Sequence, residues 1–208
     1  FLLNSNGMDI IYGEDKLTYK VIGGILDFYI FLGPSPIDVI EQYAELIGRP
    51  CLHPYWSLGY HQCRFGYSNI FKVAEMVSSH ATAAIPLDAA WLDIDYMDHY
   101  KPFTYCQSHF PDHKLAAYVN SLHENNRKIV AILDPGIKVQ EGYKPYDEGI
   151  EKKLFIKYDH GSIVSNFVGK VWPGTTVFPD WFNPDTQEYW TQCLKEWMDK
   201  TGLDGIWL

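Results

Sequence analysis

Three aspartates that follow a single apolar stretch are the residues of this chain best placed to do chemistry. Asp93, Asp95 and Asp98 come directly after a largely apolar run over residues 81–92. A strand that is apolar along its length and acidic at its carboxyl end is typical of a parallel sheet covered on both faces. Active sites of α/β barrels are assembled at that end of the strands. Because Asp93 and Asp95 are two residues apart, a strand would place both on one face. The alternative is that these carboxylates cap a helix or lie in a loop.

Acidic and aromatic residues also recur where the other predicted strands end. His61 and Arg64 follow the first strand, Asp134 ends the third, Trp172 lies in a later loop and Trp207 lies in the fourth strand. Carboxylates accept hydrogen bonds from sugar hydroxyls, and aromatic rings cover the apolar face of a sugar ring. The pattern therefore favours a carbohydrate site at this rim. For each tryptophan, core packing is the alternative, and for His61 and Arg64 packing or a supporting position behind the site is the role we expect.

The elements that must position these residues alternate between strands and helices. Apolar runs bounded by turn residues predict strands over residues 55–60, 87–94, 128–133 and 204–208. Helical spacing and capping residues predict helices from Pro36 to 47, from Ser68 to 80, over 112–125, and from Asn183 or Asp185 to 200. Residues 1–33 read as a β-meander, including a strand over 25–32. Residues 146–156 suggest a short helix and then a strand, and 164–171 a further β stretch.

This order predicts a parallel sheet with helical crossovers, and therefore an α/β fold. Four such strands are about half of an eight-stranded (β/α)8 TIM barrel. A doubly wound open sheet is the competing architecture. It usually has a glycine-rich phosphate-binding turn after its first strand, and residues 61–66, His-Gln-Cys-Arg-Phe-Gly, contain no such turn.

Composition excludes several classes of protein. The 208 residues include 17 basic and 26 acidic side chains, a net charge of −9, and no basic patch, so nucleic acid is not an expected partner. Cys51, Cys63, Cys106 and Cys193 show no CxxC spacing, so we expect no metal site and no cofactor, although a Cys51–Cys63 disulfide remains open. No apolar run reaches the length of a membrane span. Because the chain begins at Phe1 without an initiator Met, we expect it to be part of a longer polypeptide.

Several blocks together make the chain resemble glycoside hydrolase family 31, and within it the maltase and acid α-glucosidase type. The blocks include Trp-Leu-Asp-Ile-Asp-Tyr-Met-Asp at 91–98, Lys-Val-Trp-Pro-Gly at 170–174 and Asp-Gly-Ile-Trp-Leu at 204–208. Further matching blocks lie at residues 1–9, 23–27, 31–34, 54–61, 63–67, 133–135 and 178–180. The resemblance spans essentially the whole chain. Asn4, Ser5 and Asn6 favour the maltase-like branch over the trimming glucosidases of the endoplasmic reticulum and over the α-xylosidases.

The resemblance implies a domain organisation and a reaction. Residues 1–35 would be the last strands of an N-terminal β-sandwich, and residues 36–208 the first half of the catalytic (β/α)8 barrel. The family's reaction is retaining hydrolysis of terminal α-glucosides, in which an aspartate forms a covalent glycosyl-enzyme that water then cleaves. The nucleophile would follow Leu208 directly and the general acid would lie further on. The resemblance therefore gives this chain no catalytic carboxylate.

The resemblance instead assigns this chain part of the wall that holds the glucose. Asp93 would accept hydrogen bonds from sugar hydroxyls, Ile94 and Ile132 would be apolar wall positions, and Trp172 and Trp207 aromatic ones. Asp95 and Asp98 are expected to orient the loop, and Asp134 receives no role. The implied partners are an α-glucoside or maltooligosaccharide and the rest of the same polypeptide, in a secreted, lysosomal or cell-surface setting. The other possibility is a sugar-binding or structural relative without catalysis that ends at Leu208.

Overall fold

The computed structural model describes residues 2–3, 7–25, 27–159, 161 and 164–208, and the chain divides into two compact units, 1–52 and 53–208. The boundary proposed for the barrel at residue 36 therefore falls inside the first unit. Asn4, Ser5 and Asn6, on which the maltase-like assignment rests, lie outside the described residues.

The first unit contains the predicted antiparallel strands and one helix. Its elements are β1 (Leu2–Leu3), β2 (Met8–Tyr12), β3 (Leu17–Val21), β4 (Asp27–Phe28) and α1 (Pro36–Ile47). Strand β1 pairs with β4 and β2 pairs with β3, all antiparallel. Helix α1 begins with a capping box, in which Ser35 and Asp38 each bond the other's backbone N–H, and it ends before Gly48 at φ 85°. The strand predicted over 25–32 is much shorter, since only Asp27–Phe28 pairs within the described part of that stretch.

The second unit carries a parallel four-stranded sheet with helices between its strands. Its strands and helices are β5 (His61–Gln62), α2 (Ile70–Thr82), β6 (Ala89–Leu92), α3 (Asp112–Glu124), β7 (Lys128–Ile132), β8 (Ile137–Lys138), α4 (Lys144–Glu151), β9 (Lys157–Asp159), β10 (Val164–Asn166), β11 (Gly169–Val171), β12 (Gly174–Val177), α5 (Thr186–Asp199) and β13 (Gly205–Trp207). The strand order is β13-β7-β6-β5, and every pair in it is parallel. The predicted alternation of strands and helices is confirmed.

One face of this sheet is covered by the helices. Leu92 of β6 and Ile129 and Ala131 of β7 are almost fully buried, and they belong to one apolar cluster with residues of α2, α3 and α5. Val119 of α3 and Trp197 of α5 are among the most buried members. Side chains alternate along a strand, so the neighbouring positions Trp91 and Val130 point to the opposite face. That second face carries the candidate site.

The first predicted strand is wrong. Residues 55–60 form no strand; instead Tyr55–Leu58 is a short 3-10 turn, and pairing begins only at His61–Gln62. Local hydrogen bonds explain the difference, because Ser57 N–H donates to the Pro54 carbonyl and Gly59 N–H to the Trp56 carbonyl. The backbone at the end of this turn packs closely against Asp88, which lies just before β6. A Cβ on Gly59 would lie 2.1 Å from a carboxylate oxygen of Asp88. β-rich composition is therefore overridden by close packing here.

Smaller corrections concern helix starts and the stretch after β7. Asn69 caps α2 through a 3.0 Å bond from Lys72 N–H, one residue later than the predicted Ser68. Asp185 stands at the N-cap of α5 but its side chain makes no capping bond. After β7 the chain makes two antiparallel arrangements, a β9–β10 hairpin and a three-stranded sheet β11-β12-β8. No helix among the described residues is both long and apolar enough to cross a bilayer.

Candidate functional site

A row of aromatic side chains occupies the sheet face that the helices leave open. The Trp91 and Trp207 rings lie 5.6 Å apart, and the His61 ring lies 5.8 Å from Trp91 and 5.6 Å from Trp56, centroid to centroid. Trp91 Nε1 donates to His61 Nδ1 at 3.1 Å, and the other ring nitrogen, Nε2, donates to the Trp56 carbonyl, also at 3.1 Å. His61 therefore has the packing role predicted for it, whereas Arg64 is exposed rather than packed.

Asp93 stands at the point where strand β6 stops. Its backbone is still extended, at φ −82° and ψ −177°, and Ile94–Tyr96 then turns into a 3-10 helix. One carboxylate oxygen, Oδ1, accepts the Ile94 N–H at 2.7 Å, while Oδ2 makes no hydrogen bond with the described residues. The expected sharing of one strand face by Asp93 and Asp95 is wrong, because the turn begins between them. Asp93 is left half-buried at the carboxyl edge of the sheet.

The other two carboxylates of the motif hold loops together. Asp95 Oδ2 accepts the Gly66 N–H at 2.9 Å, which ties the loop after β5 to the turn after β6. Asp98 pairs with Lys101 at 2.9 Å, and its backbone N–H donates to Thr104 Oγ1. These contacts match the loop-orienting role that the sequence predicts for both residues.

Tyr96 fixes the same turn to the neighbouring strand. Its side chain is completely buried, and its hydroxyl donates to the Ile132 carbonyl at 2.6 Å. Burial raises the pKa of the Tyr96 hydroxyl well above its ordinary value, so the group stays protonated and remains a donor. The end of β7 and the turn that carries Asp93 are therefore locked together. Ile132 is in turn the register partner of Trp207 on β13.

Asp134 and Trp172 form the wall on the far side of β7. Trp172 and Pro173 make the tip of the β11–β12 hairpin, where Val171 faces Gly174, and the Trp172 ring is 61% exposed. A pocket of about 410 Å³ lies between this tip and the end of β7, lined by Asp134, Pro135, Gly136, Lys170, Val171, Trp172 and Phe178. Lys138 supports the tip, since its Nζ donates to the Pro173 carbonyl at 2.6 Å.

The electrostatics connect Asp134 to Asp93. Burial raises the pKa of Asp134, the nearby Trp172 side chain works against the rise, and the charge of Asp93 adds to it. Burial also raises the pKa of the Cys63 thiol, with a further rise from the charges of Asp93 and Asp95. Oδ2 of Asp134 is buried and has no hydrogen-bond partner within the described chain. A buried carboxylate oxygen without a donor disfavours the charged form of Asp134, in line with its raised pKa.

The five predicted wall residues lie around this edge of the sheet. Asp93, Ile132 and Trp207 come from the carboxyl ends of β6, β7 and β13, and Trp172 stands beside Asp134. Ile94 is placed directly after Asp93, but Ile94 and Ile132 are each only 8% exposed and belong to the apolar cluster. Two residues that the sequence left without a role belong to the same edge, Tyr96 and Asp134. Only the position of Asp134 at a strand end signalled it, since its partner Trp172 is far away in sequence.

The sequence of this chain is similar to that of glycosidases of one family. Residues 50–208 match the model of the TIM-barrel domain of glycosyl hydrolases family 31. A probable α-glucosidase of Oryza sativa subsp. japonica is 48% identical over 207 residues, which cover all of this chain and 23% of that protein. Alpha-xylosidase 1 of Arabidopsis thaliana is 46% identical over all of this chain and 22% of its own length. The chain thus spans about a quarter of the length of these relatives, and one is named a probable α-glucosidase and the other an α-xylosidase at nearly equal identity.

A solved structure of a family 31 enzyme is also similar to this chain in fold. The family 31 α-glucosidase of Bacteroides thetaiotaomicron superposes with a TM-score of 0.87 and 33% identity, over 99% of this chain and 34% of that one. The predicted TIM-barrel fold is confirmed by this likeness together with the family match, and the branch within the family stays a prediction. With four parallel strands in register and a matching family domain over 159 residues (50–208), the chain belongs to glycoside hydrolase family 31.

Proposed function

We propose that this chain supplies part of the glucose-binding wall of a retaining α-glucosidase. The enzyme would remove terminal, non-reducing α-1,4-linked glucose from maltose, oligosaccharides, starch or glycogen. The family membership and the α-glucosidases among its relatives support the reaction class. The wall residues are Asp93, Ile94, Ile132, Trp172 and Trp207. The nucleophile and the general acid would come from elsewhere in the longer polypeptide, so the 208 residues alone would be inactive.

The observation that carries the proposal is the position of Asp93. Its Oδ1 is held by the Ile94 N–H, which fixes the direction of the carboxylate, and its Oδ2 is left without a protein partner among the described residues. A half-buried carboxylate with one unbonded oxygen favours a ligand with hydroxyl groups over an analogue without them, because the analogue leaves the charge without a hydrogen-bond donor. The exposed Trp172 ring and the half-buried Trp207 ring supply apolar faces for the sugar ring.

The test is the kinetics of Asp93→Ala in the complete polypeptide, measured on maltose. A hydrogen bond to a charged group is worth about 1.5–3 kcal/mol. We therefore expect kcat/KM to fall by about ten- to 150-fold, at roughly 1.36 kcal/mol per tenfold. Asp199→Ala is the control: Asp199 is an exposed carboxylate of α5 outside the motif, and we expect its loss to change kcat/KM little. An unchanged kcat/KM for Asp93→Ala would remove Asp93 from the sugar wall.

A second assay addresses where the reacting groups lie. The purified 208-residue chain should release no glucose from maltose above a blank, since the proposal places both reacting carboxylates outside it. Measurable turnover by the chain alone would contradict this part of the proposal. Binding of maltose without turnover by the complete polypeptide would instead favour a sugar-binding relative.

A further inference from the structure

A cysteine, a serine and a histidine cluster away from the sugar wall, in the loop that leads into α3. Cys106 Sγ lies 3.2 Å from Ser108 Oγ and 3.4 Å from His109 Nδ1, and Ser108 Oγ lies 3.1 Å from the same His109 nitrogen. Each of the three side chains thus contacts the other two. A thiol beside an imidazole is the usual arrangement of an activated cysteine nucleophile, because the ring takes the proton and faces the resulting thiolate.

The backbone holds this cluster in place. Cys106 N–H donates to the Tyr96 carbonyl at 2.8 Å, and the Cys106 carbonyl accepts from the N–H groups of Phe110 at 2.7 Å and His109 at 3.1 Å. The Phe110 side chain is completely buried and anchors the end of the loop. The thiol is therefore presented by a fixed loop, and its spacing from His109 is built into the fold.

An open cavity lies beside the thiol. It has a volume of about 510 Å³, which is within the size range of small-molecule sites. Cys106, Gln107 and Ser108 form one side, and the charged groups that face it are Asp98, Asp112 and Lys200. Tyr105 also lines it, but burial raises the pKa of its hydroxyl so that it stays neutral. One cation and two anions around a thiol suit a zwitterionic ligand better than a purely anionic one.

The thiol groups of this chain differ in their acidity. Burial works to raise the pKa of Cys106, but hydrogen bonds from Ser108 and His109 outweigh it and leave the pKa below the ordinary value. Burial raises the pKa of Cys63, and it raises that of the buried Cys193 to about 11. The thiolate is the reactive form, so Cys106 is favoured over both at neutral pH.

We propose that Cys106 is a modification site, at which a small zwitterionic peptide disulfide bound in the adjacent cavity undergoes thiol–disulfide exchange. The Cys106 thiolate attacks one sulfur of the disulfide, and a new S–S bond forms as the old one breaks. The departing thiolate takes up the proton that His109 received from the Cys106 thiol. No external oxidant is needed, because the disulfide is reduced to one thiol as Cys106 is oxidised to the mixed disulfide.

The first test uses iodoacetamide on the complete polypeptide, with peptide mass spectrometry to follow each cysteine from pH 5 to pH 9. Cys106 should be alkylated several times faster than Cys63 at pH 7, and its rate should reach half-maximum at a lower pH. His109→Ala and, separately, Ser108→Ala should move that midpoint upward. His113→Ala is the matched control, since His113 is an exposed histidine nearby that does not contact the thiol. Equal alkylation rates for Cys106 and Cys63 would overturn the proposal, and so would a pH midpoint for Cys106 that is the same in both variants as in the parent protein.

The second test examines the cavity with the disulfide of the dipeptide Cys-Gly as the probe, since each half of it carries one ammonium and one carboxylate group. The mixed disulfide should form at Cys106 before any other cysteine and be reversed by dithiothreitol. Lys200→Ala should slow this exchange while leaving the iodoacetamide rate at Cys106 unchanged, and Lys195→Ala should change neither. Rapid alkylation without a preference of this dipeptide disulfide for Cys106, or an exchange rate that is independent of Lys200, would overturn the assigned ligand.

Discussion

The hydroxyl of Tyr96 connects the turn that carries Asp93 to the strand that carries Ile132, and Tyr96→Phe removes that group alone. The ring should stay in place, because it packs 5.7 Å from the Tyr105 ring and 6.1 Å from the Trp197 ring, centroid to centroid. What is lost is a 2.6 Å hydrogen bond in a fully buried position, and the Ile132 carbonyl loses its donor. We expect the free energy of unfolding to fall by about 1–3 kcal/mol, the cost of leaving a buried polar group unsatisfied.

The assay has two parts, urea unfolding and steady-state kinetics of the complete polypeptide. Tyr105→Phe is the matched control, because its buried hydroxyl donates to the Trp197 carbonyl at 3.0 Å and contacts Thr201 Oγ1 at 2.8 Å, within the helical layer. Both variants should lose a similar amount of stability. Only Tyr96→Phe should raise KM for maltose, since only Tyr96 bonds a strand end of the sugar wall. Equal KM values for the two variants would refute the reasoning that Tyr96 positions the site.

Two further substitutions test the contributions of a half-buried carboxylate and of a close helix contact to stability. Asp204 accepts bonds from Lys128 Nζ at 2.9 Å, His123 Nε2 at 2.7 Å and Ile129 N–H at 3.0 Å. Burial works to raise the pKa of Asp204, but these three bonds outweigh it and the pKa lies below the ordinary 3.8. A lowered pKa in the folded state means that the carboxylate stabilises the fold above that ordinary value and that this contribution is lost as the pH falls through the folded pKa. The urea midpoint of the parent protein should therefore fall more steeply below pH 4 than that of Asp204→Asn, and parallel curves would contradict this. Separately, Gly149→Ala should cost about 1–3 kcal/mol in urea unfolding by overpacking, because the new Cβ would lie 2.2 Å from the Phe155 ring. Gly23→Ala, which meets no atom within 4 Å, should change stability by less than about 0.5 kcal/mol, and similar losses for the two would count against the packing argument.

The alternation of strands and helices could be predicted because each element carries its own signal. The end of the apolar run before Asp93 becomes β6, and most of the run over 128–133 becomes β7, since a short apolar run bounded by polar or turn residues favours a strand. The strand predicted over residues 55–60 is wrong because the Pro54 carbonyl and the Gly59 N–H make hydrogen bonds within a local turn. A period-two pattern in the sequence does not reveal such bonds. Local hydrogen bonding decides such short segments.

The site could be predicted where a residue type follows a strand, and not where its role depends on a distant partner. Asp93 and Trp207 stand at strand ends, which marks them as candidates, and the family resemblance then implies their places in the wall. Asp134 also ends a strand, yet its connection to Trp172 depends on the hairpin of β11 and β12, which brings together residues 38 positions apart along the sequence. Tyr96 acts through a hydroxyl bond to a backbone carbonyl on another strand, for which the sequence has no pattern.

We infer that the carboxyl edge of this sheet holds glucose. The most direct measurement is a crystal structure of the complete polypeptide with glucose bound. We predict that an Asp93 oxygen lies within hydrogen-bonding distance, about 2.5–3.0 Å, of a sugar hydroxyl, and that Trp172 and Trp207 contact the ring. Glucose bound at another place, with Asp93 facing only water or protein, would contradict the claim.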